Sequence, residues 1–314
     1  MNLGREKLDW SQEIWAEIDR AVHDEAQRVR IAMKYIPICM TTSDALSIPA
    51  DIIETTNPRG QPIPLIVEEG KTISIFEIQT VFSMTKQQVS RESEVKTAIT
   101  LATRATNILI QGEDVLMFRG DDALETGKNA HPLFATGRIS HRNISFGPGL
   151  FGAVARLDDP AAQTIEVEPT SANKEKPGLN TYGENTFGAV AAAYSRLQSK
   201  GHYGPYALAL HSDVYADTFA PLKSTLIMPA DRIQPLVTAA FLGTGTLPPF
   251  TGVLVSLGGN TMDLVVGLDA ITAFLQEDIE GLYQFRVFER FTLRLKDVTA
   301  VIKLDFLREK KQRA

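Results

Sequence analysis

The chain has 314 residues, which is enough to bury a sizeable apolar core in one large domain or in two smaller ones. Hydrophobic residues make up 44% and charged residues 22%, which is ordinary globular usage and excludes a disordered or fibrous protein. The formal net charge of -6 offers no general electrostatic basis for binding nucleic acid.

The first predicted element is an amphipathic helix over residues 11–33. Apolar residues recur at helical spacing from Ile14 to Met33, Ser11 can cap the first turn, and Pro37 lies beyond the end. A stretch with β-branched residues and prolines follows, with a turn predicted at 57–60 and a strand at 72–82. These features predict a long β-hairpin arm over about 48–83.

The longest predicted helix runs over residues 92–118, where apolar positions follow a period of 3.6. Loops and short strands are predicted for 121–186. Beyond them we expect helices at 187–198 and 213–222 around a buried strand at 206–210. Gly258-Gly259-Asn260-Thr261 separates two apolar runs and predicts a hairpin, and half-buried strands are predicted at 291–296 and 302–306.

No catalytic motif is apparent in the chain. It lacks a phosphate-binding loop, a nucleophile elbow and a His-Glu-x-x-His pair, and its five histidines are scattered. Asp121-Asp122 and Asp158-Asp159 are interpreted as solvated turn residues, although paired carboxylates can also serve metals or acid-base chemistry. We therefore expect no enzyme activity, no cofactor and no metal.

The sequence also predicts a cytoplasmic protein. Cys39 is the only cysteine, so an intrachain disulfide is impossible. The charged first residues do not resemble a signal peptide, and no apolar run approaches the ~20 residues of a membrane span.

Four passages, taken together and in order, resemble the encapsulin shell proteins, also known as linocin-type bacteriocins. They are Trp15-Ala16-Glu17-Ile18-Asp19, the stretch from Glu113 to Gly120, the Gly-Pro-Tyr corner within 201–210, and the region from Val253 to Phe306.

This resemblance implies an α+β fold, the Hong Kong 97 phage-like major capsid fold. A peripheral domain would comprise residues 1–47, 84–124 and 283–314, with the helices at 11–33 and 92–118. Residues 48–83 would form the extended hairpin arm, and 125–282 the axial domain with an atypical insertion at about 125–186. Because an isolated two-stranded hairpin is only marginally stable and its edges invite pairing, we expect the arm to complete its hydrogen bonding on a neighbouring chain.

The resemblance also implies two functional regions. The opening helix and nearby strands would bind a short targeting peptide from a cargo protein, with Trp15, Ile18, Val22 and Leu304 as candidates, although an apolar helix face is by default core. Residues Lys223, Ser224, Thr225, Leu226, Ile227 and Met228 would form a pore loop, or else an ordinary loop between helices.

The expected function is that of a structural subunit that self-assembles into an icosahedral nanocompartment in the cytoplasm. Its implied partners are further copies of itself and a cargo enzyme of the ferritin-like, peroxidase or similar iron or oxidative-stress type. Two alternatives remain: a viral or prophage capsid protein that packages DNA, and a soluble hydrolase or protease. The opening helix favours the compartment, because phage relatives usually begin with an extended arm or a scaffolding segment.

Overall fold

Two five-stranded sheets and one long helix organise the protein in a computed structural model. The structure describes residues 3–56, 62–68, 70–125, 130–143, 145–170, 181–221 and 226–308. The turn predicted at 57–60 lies outside these residues.

The described residues form nine α-helices and fourteen β-strands. The helices are α1 (Gln12–Val29), α2 (Lys86–Ser90), α3 (Glu92–Val95), α4 (Thr97–Arg119), α5 (Pro132–Ala135), α6 (Gly149–Ala155), α7 (Glu184–Ser199), α8 (Ser212–Asp217) and α9 (Pro229–Ile233). The strands are β1 (Ile38–Met40), β2 (Ser47–Pro49), β3 (Ile53–Thr56), β4 (Pro62–Val67), β5 (Thr72–Ser74), β6 (Phe76–Thr85), β7 (Ser140–His141), β8 (Thr164–Val167), β9 (Tyr206–His211), β10 (Ala240–Thr244), β11 (Thr251–Ser256), β12 (Met262–Glu277), β13 (Leu282–Leu295) and β14 (Val301–Phe306).

The central sheet has the strand order β1-β12-β13-β6-β7. Its middle is a long antiparallel hairpin of β12 and β13, and β6 pairs with β13 over ten residues, from Thr85 opposite Leu282 to Phe76 opposite Phe291. Alternate residues of β6 and β13 point toward α4, where Phe76, Phe285 and Phe291 are buried in the main hydrophobic core. Helix α4 packs against this face of the central sheet.

The second sheet has the strand order β10-β9-β11-β14-β8. Strands β11 and β12 therefore belong to different sheets. The prediction of a hairpin around 258–261 is wrong. The segment does turn, with Gly259 and Asn260 at positive φ, but it carries the chain from one sheet to the other. Strand β14 also lies in this sheet, whereas β13, from the same predicted peripheral segment 283–314, lies in the central sheet against the long helix.

The long helix predicted over 92–118 is divided in two at Lys96. Lys96 adopts a left-handed conformation with φ of 56°, so α3 ends there and α4 begins at Thr97. The Glu92 carboxylate accepts hydrogen bonds from the backbone N–H groups of Ala98 at 2.7 Å and Ile99 at 3.3 Å. Glu92 thus satisfies donors that the first turn of α4 would otherwise leave unpaired.

The opening helix α1 is shorter than its prediction of 11–33. Ser11 caps it as expected, since its Oγ accepts a hydrogen bond from the backbone N–H of Ile14. The helix ends at Val29 because Arg30 turns the chain, and a 3₁₀ turn at Ala32–Lys34 follows. Helix α1 packs along α4 and against β12.

The predicted hairpin arm is present but shorter than 48–83. β2 pairs with β5, and β3 pairs with β4, both antiparallel. The strand at 76–85 does not extend the arm, because it is β6 of the central sheet. Ile75, buried between β5 and β6, joins the base of the arm to that sheet.

Candidate functional site

Three of the four docking candidates lie on one face of α1 and point into the core. Trp15 is 6% exposed, and Ile18 and Val22 are fully buried in the core cluster that contains α4 and the central sheet. In this conformation a peptide cannot reach the side chains of Ile18 and Val22. They attach the helix to the rest of the subunit.

The fourth candidate, Leu304, belongs to a different hydrophobic cluster. It lies in β14 of the second sheet, fully buried with Leu210, Val190 and Phe306. The structure therefore does not bring Leu304 together with the residues of α1. The sequence could not reveal this, because β14 alternates in the same way whichever sheet it joins.

A group of buried charges at the end of α1 was missed by the sequence analysis. Arg30 donates from Nε to Glu113 Oε2 at 3.0 Å and from Nη2 to Glu289 Oε2 at 3.2 Å, and it also contacts Asp269. Asp114 accepts hydrogen bonds from the backbone N–H groups of the two residues after Arg30, at 2.9 to 3.1 Å. These contacts join the end of α1 to α4, β12 and β13.

Burial controls the protonation of this group. It raises the pKa of Glu113, and it raises the pKa of Glu289 further because the charge of Glu113 adds to it. Burial, followed by the charge of Glu113, raises the pKa of Asp114 to about 8. Burial also opposes ionisation of Asp269, but the hydrogen bond and charge of Arg30 outweigh it and lower that pKa. Asp269 is therefore the carboxylate that ionises most readily.

The candidate pore loop is described only in its second half. Lys223, Ser224 and Thr225 lie outside the described residues. Leu226 is 94% exposed and Ile227 is 51% exposed, and Met228 precedes α9, where its backbone N–H donates to Asp231. Two adjacent exposed apolar residues within the candidate loop are unusual for a surface that faces only water.

The arm exposes a continuous apolar strand. Leu65, Ile66 and Val67 of β4 are 76%, 48% and 50% exposed, and adjacent residues of a strand point to opposite faces. Both faces of the arm therefore present apolar side chains to solvent. Among the described residues β4 pairs with β3 alone, and its other edge is open there.

Three of the residues considered for chemistry have structural partners. Asp121 accepts hydrogen bonds from Ser145 Oγ and from the backbone N–H of Phe146, and Asp159 caps a 3₁₀ turn. His202 Nε2 lies 2.7 Å from Thr299 Oγ1. Within the described ranges no group of three or more His, Cys, Asp or Glu residues is placed to hold a metal ion. Nor does any helix there combine the length and hydropathy needed to span a bilayer.

Comparisons of sequence relate the chain to shell proteins. The model of a family described as "Encapsulating protein for peroxidase" matches residues 167–292. The type 1 encapsulin shell protein EncA of Myxococcus xanthus (strain DK1622) is 23% identical over 313 residues, covering 96% of this chain and 96% of that protein. The resemblance predicted from the four sequence passages is confirmed.

Comparisons of structure establish the fold. A virus-like particle from Pyrococcus furiosus matches 93% of this chain and 100% of its own, with a TM-score of 0.60 and 15% identity. The capsid of Myoviridae phage XM1 matches 89% of this chain and 92% of its own, with a TM-score of 0.54 and 11% identity. The predicted α+β Hong Kong 97-like capsid fold is confirmed.

Proposed function

We propose that this chain, with its confirmed resemblance to the encapsulin shell proteins and its Hong Kong 97-like capsid fold, is a structural subunit that self-assembles into a closed icosahedral compartment. Many copies of the chain would form the wall. The interior would hold a cargo protein, and the assembly would reside in the cytoplasm.

The arm is the observation that carries this proposal. A two-stranded hairpin is marginally stable alone, and an apolar strand with an open edge favours association with another chain. Both conditions are met here. Among the described residues β3 and β4 form a two-stranded sheet, and Leu65, Ile66 and Val67 expose apolar side chains on both faces of β4. A second copy of the chain supplies the missing contacts when the subunits assemble.

The opening helix favours a compartment over a viral capsid. Helix α1 is an integral part of the core, with Ile18 and Val22 fully buried. A capsid that packages DNA nevertheless shares the fold, as the phage XM1 capsid illustrates. The difference lies in what the particle contains, so the contents decide between the two functions.

We also propose that a short targeting peptide of the cargo binds near α1, and that the cargo is a ferritin-like protein, a peroxidase or a similar enzyme. The description of the matching family, which refers to peroxidase, supports this cargo class. Since Ile18 and Val22 are buried, the peptide would contact the partly exposed residues beside them. Trp15, Ile18 and Val22 would act by fixing the helix in place.

The proposed function is tested by expressing the full chain without partners and imaging it by negative-stain electron microscopy. Uniform hollow particles are expected. A monodisperse monomer or dimer would contradict self-assembly, whereas particles that contain nuclease-resistant DNA would support the capsid alternative. Co-expression with a candidate peroxidase, followed by particle purification, tests the cargo.

A further inference from the structure

The attachment of α1 depends on one cation surrounded by several acids. Arg30, immediately after the helix, is 2% exposed and is contacted by carboxylates from three elements: Glu113 of α4, Glu289 of β13 and Asp269 of β12. The side chains of Glu113 and Glu289 are 0% and 2% exposed. Asp114, next to Glu113, is also buried. If all four acids were ionised, one positive charge would face four negative charges.

Two carboxylate oxygens in this group have no hydrogen-bond partner in the part of the chain that the structure describes. Glu113 Oε1 and Glu289 Oε1 are buried, and no hydrogen bond reaches either of them from the described residues. An ionised carboxylate buried in this way is costly unless it is paired and hydrogen-bonded. Binding of a proton removes one charge and provides a donor, so the geometry favours a pair that carries a proton.

Two further titratable groups lie around the cluster. His23 on α1 lies 4.0 Å from Asp269, and its side chain is 59% exposed. Tyr35 follows the helix and has a buried hydroxyl without a partner among the described residues. Burial, and then the charge of Asp114, raises the pKa of Tyr35, so it stays neutral.

We propose that Arg30, Glu113, Glu289, Asp114 and Asp269 form a proton-operated latch that holds helix α1 on α4 and on the central sheet. The helix is held firmly while Glu113, Glu289 and Asp114 retain protons. It loosens as the pH rises and those protons are lost. The latch acts within one subunit, so it does not depend on the proposed shell function.

The direction follows from the raised pKa values of the buried acids. When α1 is released, Glu113, Glu289 and Asp114 meet water and ionise near pH 4. When α1 is attached, burial keeps their pKa values higher, with that of Asp114 at about 8. Between the pKa values of the released and attached states, the attached state binds more protons. Each unit of pH increase therefore lowers the equilibrium constant for attachment tenfold for every extra proton that the attached state binds. Alkaline pH opens the latch.

The two tryptophans of the chain report this attachment directly. Trp15 lies on α1, and Trp10, just before it, stacks on Phe285 of β13 with ring centroids 5.3 Å apart. Release of α1 exposes both rings and shifts their emission to longer wavelength. Fluorescence of the full-length protein is therefore followed from pH 5 to pH 9.5, together with circular dichroism to check that the rest of the fold is retained.

The wild-type protein is expected to show a red shift with rising pH. Glu289→Gln keeps the shape of the side chain but cannot ionise, so its transition should move up by at least one pH unit or disappear. Arg30→Gln removes the only cation of the cluster and should move the transition down. Glu94→Gln, at an exposed position of α3, is the matched control and should behave as wild type.

Three fluorescence results and one folding result would overturn the latch. The fluorescence results are constant emission of the wild-type protein across this range, the same transition in the wild type and Glu289→Gln, and a shift of equal size in Glu94→Gln. Glu113→Gln provides a second test of the same pair. If neither neutral variant folds at pH 6, the idea is also refuted, because a cluster that needs protons should tolerate the neutral side chains.

Discussion

Gly120 and Gly149 lie with their backbones in direct contact. A Cβ atom on Gly149 would stand 2.4 Å from the backbone nitrogen of Gly120, and one on Gly120 would stand 2.2 Å from the carbonyl oxygen of Gly147. Gly120 also has φ of 60° and ψ of -141°, which is unfavourable for residues with a side chain. This contact joins the end of α4 to the start of α6, and it explains why the passage from Glu113 closes on glycine.

We expect Gly120→Ala to destabilise the protein by more than about 3 kcal/mol, because both the clash and the positive φ oppose a methyl group. The matched control is Gly188→Ala, at an exposed position inside α7 with no atom within 4 Å of the new Cβ. The control should stabilise the helix by about 0.5 to 1 kcal/mol. Thermal unfolding of both variants measures the difference, and equal melting temperatures would contradict the packing described.

Leu65→Asp should prevent assembly while the subunit still folds. Leu65 is 76% exposed, so a charge there is harmless to one chain but unfavourable wherever a second chain covers β4. Size-exclusion chromatography and electron microscopy should find small species in place of particles. Ile279→Asp is the control, since Ile279 is a fully exposed residue at the tip of the β12–β13 hairpin. Normal particles from Leu65→Asp would rule out the arm as an assembly surface.

Ile18→Ala tests whether the buried face of α1 is core or docking surface. Ile18 is fully buried, so truncation should lower stability by about 2 to 5 kcal/mol. Asp24→Ala on the exposed face of α1 should change stability by less than about 0.5 kcal/mol. Thermal melts and cargo content of purified particles are compared. Particles as stable as wild type but empty would instead assign Ile18 to docking.

Lys223→Glu tests the proposed pore loop. If this loop lines an opening in the shell, reversing the charge should slow the entry of a small anionic probe several-fold, because a fixed charge acts on ions within about a Debye length. Entry is timed by quenching of a fluorophore held inside the particles. Lys86→Glu, on the short helix α2, provides a charge reversal elsewhere. Equal entry rates for the two variants would leave the loop without a role in permeation.

Asp263 should make the protein sensitive to acid. Burial opposes its ionisation, but hydrogen bonds from Arg294 at 2.8 Å and Lys296 at 2.7 Å outweigh it and lower the pKa. A lowered pKa stabilises the fold above pH 4, and this stabilisation is lost as the pH falls through the folded value. Asp263→Asn should cost roughly 3 kcal/mol at pH 7 and much less near pH 2, as measured by urea unfolding. A cost independent of pH would contradict this assignment.

Local sequence signals predicted where helices and strands lie better than they predicted which strands pair with each other. Ser11 correctly marked the start of α1, and the alternation at 302–306 correctly marked a strand. The turn at 258–261 was also real, yet β11 pairs with β9 and β14 while β12 pairs with β13 and β1. Turn residues determine how the chain bends, whereas strand pairing depends on segments as far apart in the chain as Ile38 of β1 and Leu264 of β12.

The candidate site was predicted less well for the same reason. Helical periodicity continues through Lys96, so nothing local signals the left-handed residue that divides the helix. In the sequence, Glu113 and Asp114 are indistinguishable from other polar helix residues. Their role becomes evident only in the structure, where Arg30, more than eighty positions earlier, lies beside them. The prediction that Leu304 lies near α1 rested on the family resemblance alone. Contacts between distant segments decide each of these cases.

The continuity of the arm with β6 has a mechanical consequence. Apart from the buried Ile75, no residue separates β5 of the arm from the first residue of β6, and β6 is paired with β13 over ten positions. A pull on the arm directed along β6 loads that whole ladder in shear, so its hydrogen bonds share the force instead of breaking one after another. An arm held by another copy would thus transmit tension into the most extensively paired part of the subunit.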